Sequence, residues 1–142
     1  MMPACCETTG GPYTAGMIIV AGVFVALAAV LHVYIFLMES IWWTRPSVWK
    51  RFGLASQADA ETTRPLAYNQ GFYNLFLAAG STLGLLLWAT NQPQAGAALV
   101  LFSTGSMVLA ALVLTTTGRR YLRPALLQGT LPLIGFVLFL LS

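Results

Sequence analysis

The sequence contains little charge, and this scarcity excludes most classes of soluble protein. Only 8% of its 142 residues are Asp, Glu, Lys or Arg, whereas 58% are apolar, and the mean hydropathy is +0.77. A typical soluble domain is about 25% charged. Because small domains bury the smallest fraction of their surface, a chain of this length cannot hide so much apolar area from water. The composition therefore indicates a single domain dissolved in lipid.

Metal-ligating and nucleophilic side chains are also scarce. The only histidine is His32, and the only cysteines are the adjacent Cys5 and Cys6. Neighbouring cysteines rarely pair with each other, and a metal site needs more ligands at regular spacing, so we interpret both as incidental thiols. No Ser-His-Asp pattern, phosphate-binding glycine loop or dinucleotide fingerprint occurs. The sequence therefore predicts neither a metal nor a cofactor.

Basic residues are few and lie in two connecting segments, which argues against nucleic acid as a partner. One segment holds Arg45, Lys50, Arg51 and Arg64, and the other holds Arg119, Arg120 and Arg123. By the positive-inside rule, these segments face the cytoplasm and both termini lie on the non-cytoplasmic side. The N-terminal residues lack the positive region of a signal peptide, so we expect them to be retained.

Four apolar stretches, at about 15–43, 65–90, 95–117 and 122–141, are each long enough to cross a bilayer core as a helix. In lipid, a single segment can satisfy its own backbone polar groups only as a helix. The segments are also too long and too uniformly apolar for the strands of a membrane barrel. The sequence thus predicts an all-α integral membrane four-helix bundle. Residues 44–64 form a predicted cytoplasmic loop, in which Pro46 to Phe52 is compatible with a short interfacial helix that has Trp49 and Phe52 facing lipid.

Small residues and prolines give two further expectations about packing. Gly80 and Gly84 form a G-x-x-x-G pattern, which lets helix backbones approach closely in lipid. Pro132 lies inside the fourth segment and leaves the carbonyl of Gln128 without its helical donor. Both features indicate helix packing rather than chemistry.

Polar side chains inside membrane helices are costly, so each one requires a reason. His32 and Glu39 are seven residues apart and share one helix face. The predicted polar cluster adds residues of the second and fourth segments at a similar depth: Asn69, Gln70, Tyr73, Asn74 and Gln128. We predict that these side chains converge on one pocket open to the cytoplasm. They are interpreted in one of two ways. The first is a ligand-binding group with Glu39 as acid, base or counter-ion. The second is a structural role, in which Glu39 pairs with Arg64 or Arg123 and His32 forms a hydrogen bond to a neighbouring helix.

The stretch His32-Val-Tyr34-Ile-Phe-Leu-Met-Glu39, then Phe52-Gly53 and the sequence NQGFYNLFLAAG from Asn69 to Gly80, resembles a family of small prokaryotic membrane proteins termed domain of unknown function 1304. The resemblance extends from about Met17 to Leu141. It implies a four-helix membrane protein in the prokaryotic inner membrane, and it implies no particular activity.

A second resemblance is to the MAPEG superfamily, the membrane-associated proteins of eicosanoid and glutathione metabolism. Asn69 and Tyr73 match the Asn and Tyr of its motif R-x-x-x-N-x-x-E-Y, but Pro65 replaces the Arg and Phe72 replaces the Glu. Both replacements remove charged contacts to glutathione. This resemblance implies a homotrimer with sites between subunits, and little thiol-conjugating activity.

Three hypotheses about function follow. The first is a non-catalytic accessory or self-associating subunit of a membrane assembly, with membrane lipids and a second copy or a larger complex as partners. The second is a MAPEG-like binding protein or enzyme for a lipophilic substrate at the cytoplasmic leaflet. The third is a small oligomeric transporter that uses Glu39.

Overall fold

A computed structural model describes residues 12–142 of the chain, with side chains described from Gly16 onward. Cys5, Cys6 and the N-terminal segment, including its predicted retention, lie outside the described residues. The remaining chain carries every other residue singled out above.

Five α-helices and three short turns of other helix types follow each other along residues 12–142. They are α1 (Pro12–Phe36) with a π-helical turn (Leu37–Ile41), α2 (Pro46–Trp49) with a 3₁₀ turn (Lys50–Phe52), α3 (Gln57–Trp88), α4 (Pro93–Thr116), a 3₁₀ turn (Arg119–Tyr121) and α5 (Leu122–Leu140). Among the described residues, α1 with its π turn, α3, α4 and α5 with the turn before it are the four helices long and apolar enough to cross a membrane. This confirms the predicted all-α four-helix membrane bundle.

The four long helices surround one core. α1 packs against α3 and α5, and α4 packs against the same two helices from the other side. Fully buried side chains come from every long helix, among them Val25, Ser81, Met107 and Pro132. Many large apolar side chains face outward instead, and Leu66 is 74% exposed. Since helices in a bilayer contact lipid directly, this outward apolar surface fits a membrane environment.

Glycines set the close approach of α3 to α4. A Cβ added to Gly84 would lie 2.8 Å from the backbone nitrogen of Val100, and one added to Gly96 would collide with the backbone of Trp88. A Cβ added to Gly80 would lie 2.5 Å from the Ser103 hydroxyl. Gly80 and Gly84 are therefore both placed against α4.

The second membrane helix begins at Gln57, so the predicted loop 44–64 was too long. Ser56 caps the helix: its Oγ accepts from the Asp59 backbone nitrogen at 3.1 Å, and Asp59 Oδ2 accepts from the Ser56 nitrogen at 3.1 Å. The prediction missed this start because the first turns of α3 are polar, and hydropathy detects only the lipid-spanning part. Pro65 marked a helix start in the prediction, but it lies inside α3.

The connection between α1 and α3 packs on the first turns of α3. Trp49 is buried, and its Nε1 donates to Gln57 Oε1 at 3.0 Å, so its predicted exposure to lipid was wrong. Trp43 is buried as well and donates from Nε1 to the Ala60 carbonyl at 2.9 Å. These two indole hydrogen bonds fix the loop on the first turns of α3, because indole nitrogens are donors only.

Candidate functional site

The C-terminal end of α1 widens into a π-helical turn. The Trp42 backbone nitrogen donates to the Leu37 carbonyl at 2.9 Å, five residues back, where an α-helix would bond four residues back. Glu39 lies in this turn and is only 8% exposed. π turns are rare and occur frequently at functional sites. The sequence alone gave no signal for this turn.

Glu39 pairs with Asn74 of α3. Asn74 Nδ2 donates to Glu39 Oε2 at 2.9 Å and also lies 3.1 Å from the Gln70 carbonyl of its own helix. Both side chains are buried. Because the amide has two N–H groups, it can serve both acceptors at once. The pair joins α1 to α3 by one polar contact inside the bundle.

A glycine makes this contact possible. Gly71 is buried one turn before Asn74, and a Cβ there would lie 3.1 Å from Glu39 Cβ and 3.2 Å from the Phe36 carbonyl. The two helices are thus nearly in backbone contact at the π turn. Ser40 adds a second bond between them by donating from Oγ to the Tyr68 carbonyl at 3.0 Å.

His32 shares the buried face of α1 with Glu39 but forms a separate feature. It is fully buried, and its Nδ1 lies 2.8 Å from the Ala28 carbonyl of the same helix. Since a carbonyl only accepts, Nδ1 carries the proton in this contact and Nε2 is left as an acceptor. In the described part of the chain, Nε2 has no hydrogen-bond partner.

The prediction that all seven polar side chains meet in one pocket was wrong. Asn69, Gln70 and Tyr73 are exposed on α3, and only Asn74 is buried. For Asn69 and Tyr73 the reason is geometric: at about 100° per residue, they lie about 140° and about 100° from Asn74 around the helix axis. Gln128 is half-buried on α5. Sequence depth was therefore a poor guide, because helix rotation separates residues of equal depth.

The Glu39–Asn74 pair is buried and lies in neither of the two concave regions that stand out on the described structure. The two concave regions that stand out lie elsewhere, one on the turn from Asn91 to Ala95 and one between α4 and α5. Within residues 12–142, no three His, Cys, Asp or Glu side chains lie close enough to hold a metal ion. What the pair does in this structure is to connect two helices.

Comparison with known proteins gives a family and nothing finer. Neither the curated proteins nor the solved structures contain a significant match. The MAPEG resemblance thus stays a prediction, and its two matching residues, Asn69 and Tyr73, face away from the bundle. The family model described as Protein of unknown function (DUF1304) matches residues 26–140, which include both His32 and the Glu39–Asn74 pair. The chain therefore belongs to the DUF1304 family.

Proposed function

We propose that this small membrane protein is a non-catalytic subunit that self-associates in the bilayer through the outer side of α3. The observation that carries the proposal is a patch of exposed side chains on α3, here named the α3 outer patch. It consists of Leu66, Asn69, Gln70, Tyr73 and Phe76. Their spacing of three or four residues places them on one helix face.

The α3 outer patch contains hydrogen-bonding groups that the described residues do not use. The hydrogen bonds between this part of α3 and α1 with its π turn are those from Asn74 to Glu39 and from Ser40 to the Tyr68 carbonyl. The side chains of Asn69, Gln70 and Tyr73 bond to no other described residue, so a neighbouring molecule can bind them. Tyr73 is 55% exposed, so a neighbour can reach it.

The bilayer makes this arrangement favour association. About 20 residues of helix cross the hydrocarbon core, and that length counted back from Trp88 places Tyr73 within the core and Asn69 at its edge. Polar groups there gain from a partner, by about 0.6–2 kcal/mol for an interhelical hydrogen bond. An amide both donates and accepts, so a second copy of α3 can satisfy Asn69 and Gln70.

The buried polar pair supports a structural role over catalysis within one chain. Glu39 already has Asn74 as its partner, whereas Asn69 and Tyr73 are exposed and lie about 140° and about 100° from Asn74 around the axis of α3. A catalytic pocket would need these groups to converge on one substrate. Their divergence removes the main argument for a single-chain enzyme.

Native mass spectrometry of the protein in lipid nanodiscs tests the proposal. We expect the wild type to form an oligomer of fixed stoichiometry and the variant N69L/Q70L/Y73F to shift toward the monomer. The control L83A/L86A changes two other exposed residues of α3, 50% and 60% exposed, and should keep the oligomer. A wild type that stays monomeric, or a triple variant that assembles normally, would contradict self-association through this patch.

A second candidate, an oligomeric transporter that uses Glu39, is favoured by one observation. A buried carboxylate in a π turn is the combination expected where a membrane helix binds or releases an ion. Proteoliposome flux measurements with Glu39→Gln test it. The control Glu61→Gln removes an exposed carboxylate that lies 3.3 Å from Gln57 Nε2 at the polar end of α3. Flux that is unchanged in Glu39→Gln would rule out this candidate.

A further inference from the structure

A groove runs between α4 and α5 on the side of the bundle that faces lipid, with a volume of about 120 Å³. Small residues form its floor: a Cβ added to Gly129 would lie only 2.8 Å from Ala111 Cβ. The large side chains beside the floor point outward, with Leu112 57% exposed and Leu126 65% exposed. The two helices thus touch at the floor, while their leucines form raised walls.

The threonine hydroxyls in the groove form their hydrogen bonds within the protein. Thr115 Oγ1 donates to the Leu112 carbonyl at 2.6 Å, and Thr130 Oγ1 donates to the Leu126 carbonyl at 2.6 Å. Because each hydroxyl hydrogen is used within its own helix, the groove behaves as an apolar surface. Its shape and chemistry suit a hydrocarbon chain.

The end of the groove nearest the α4–α5 connection lies close to arginines in the chain. α4 ends at Thr116, and Arg119 begins the 3₁₀ turn that follows it. Arg123 lies in the first turn of α5, three residues before Leu126 and on the same helix face. Arg120 lies between them, 4.6 Å from the centre of the Tyr121 ring. All three arginines are exposed.

The carboxylates of the described chain do not neutralise this cluster. Glu39 binds Asn74 inside the bundle, Asp59 belongs to the cap at Ser56, and Glu61 accepts from Gln57 Nε2. All three lie on other elements. Within the described residues the arginine cluster therefore has no carboxylate side chain as a partner, and an external anion can balance its charge.

We propose that the groove binds an anionic phospholipid. One acyl chain lies along the floor formed by Ala111 and Gly129, and the headgroup phosphate contacts Arg119 and Arg123. Guanidinium groups match phosphate in geometry and charge. Basic pockets at the cytoplasmic ends of membrane helices bind such headgroups, and the positive-inside rule places this end of the groove at the cytoplasmic leaflet. The in-line arrangement favours a phospholipid over free phosphate, which would contact only the arginines.

Lipid titration followed by native mass spectrometry tests the site. Delipidated protein is titrated with phosphatidylglycerol and with phosphatidylcholine of the same acyl chains, and with glycerol phosphate as the headgroup alone. We expect phosphatidylglycerol to bind at least about tenfold more tightly than phosphatidylcholine or glycerol phosphate. Equal affinity for the two lipids, or equally tight binding of glycerol phosphate, would overturn the proposal.

Two variants and one matched control locate the binding. R119Q/R123Q removes the headgroup contacts, and Thr130→Phe fills the groove from its exposed wall; each should weaken phosphatidylglycerol binding about tenfold or more. R45Q/R64Q removes the same charge from exposed residues of the other basic segment and should change the affinity less than about twofold. R119Q/R123Q alters only exposed side chains, so it decides the question even if Thr130→Phe fails to fold. An equal loss in R45Q/R64Q would show general surface attraction and overturn the site.

Discussion

The side-chain amide of Asn74 donates to the Glu39 carboxylate at 2.9 Å and so links the π turn of α1 to the middle of α3. Gly71 lets the two helices come close enough for this bond. Of the polar residues singled out in the membrane helices, only this pair forms a hydrogen bond between two buried side chains of different helices. Its contribution to stability is therefore the first quantity to measure.

Replacement of Asn74 by Leu should lower the free energy of unfolding by about 1–3 kcal/mol, because Glu39 is then left buried without a partner. Glu39→Gln should cost less than about 1 kcal/mol, since a glutamine oxygen still accepts from the Asn74 amide. Asn69→Leu is the matched control: it makes the same change on the outer side of α3 and should leave the stability of a single subunit unchanged. Thermal or denaturant unfolding in micelles measures all three variants. Equal losses of unfolding free energy in Asn74→Leu and Asn69→Leu would contradict a stabilising role of the Glu39–Asn74 hydrogen bond.

The two glycines of the G-x-x-x-G pattern should respond differently to alanine. Gly84→Ala should destabilise by about 1–3 kcal/mol, because its Cβ meets the backbone of Val100, which cannot move locally. Gly80→Ala should cost less than about 1 kcal/mol, because its Cβ meets only the Ser103 side chain, whose hydroxyl can rotate away. The double variant Gly80→Ala with Ser103→Ala should restore wild-type stability. The same unfolding measurement checks the order, and a larger loss at Gly80 would refute it.

His32 should tolerate an apolar residue of similar size. Its Nε2 has no partner in the described structure, so His32→Leu removes a buried unsatisfied acceptor and should change stability by less than about 1 kcal/mol. His32→Ala should cost about 2–5 kcal/mol because it leaves a cavity in a closely packed core. Calorimetry in micelles distinguishes the two. A loss in His32→Leu as large as in His32→Ala would mean that Nε2 has a partner, such as an internal water.

Trp43→Phe should loosen the connection between α1 and α3. The variant leaves the buried Ala60 carbonyl without the indole donor, at a cost of about 1 kcal/mol. We expect faster trypsin cleavage after Lys50 and Arg51. Trp42→Phe serves as the control, because Trp42 is only half-buried and makes its contacts through its ring, to Tyr34 and Arg45. Unchanged cleavage rates would show that the indole bond does not restrain the loop.

The predicted orientation can be tested by cysteine labelling in intact cells. In a background with Cys5→Ser and Cys6→Ser, Asn91→Cys should react with a membrane-impermeant maleimide from outside. Ala55→Cys, which is equally exposed in the structure, should react only after the membrane is opened. The reverse pattern would invert the orientation and move the arginine end of the α4–α5 groove to the other leaflet.

The sequence was sufficient to predict which segments cross the bilayer, because span length and apolarity follow directly from the thickness of the hydrocarbon core. It was not sufficient to predict where α3 begins, since Gln57 to Arg64 is polar helix stabilised by a cap at Ser56 and not by lipid. The span criterion cannot detect such a segment. The same limit applies to Trp49, which a hydropathy pattern assigns to lipid although it bonds to Gln57.

The candidate site was predicted by residue type better than by geometry. Glu39 and Asn74 were both singled out, and they bond to each other. Asn69 and Tyr73 were singled out at the same depth but lie on the other side of α3. Depth along a helix follows from counting residues, whereas rotation about its axis depends on which side packs inward. In this chain the side of α3 that packs against α1 is the one that carries Gly71, and that contact is a tertiary feature.

The π turn also has a consequence for how members of the family should be aligned. A π turn holds one residue more than the α turn that would span the same part of the helix, and one residue corresponds to a rotation of about 100°. A relative lacking one residue between Leu37 and Trp42 could close an ordinary α turn and still present Trp43 on the same side. The same gap placed between Ala28 and His32 would turn the buried face of α1 away from α3. A single-residue gap at the π turn is therefore compatible with an unchanged bundle, and gaps elsewhere in α1 are not.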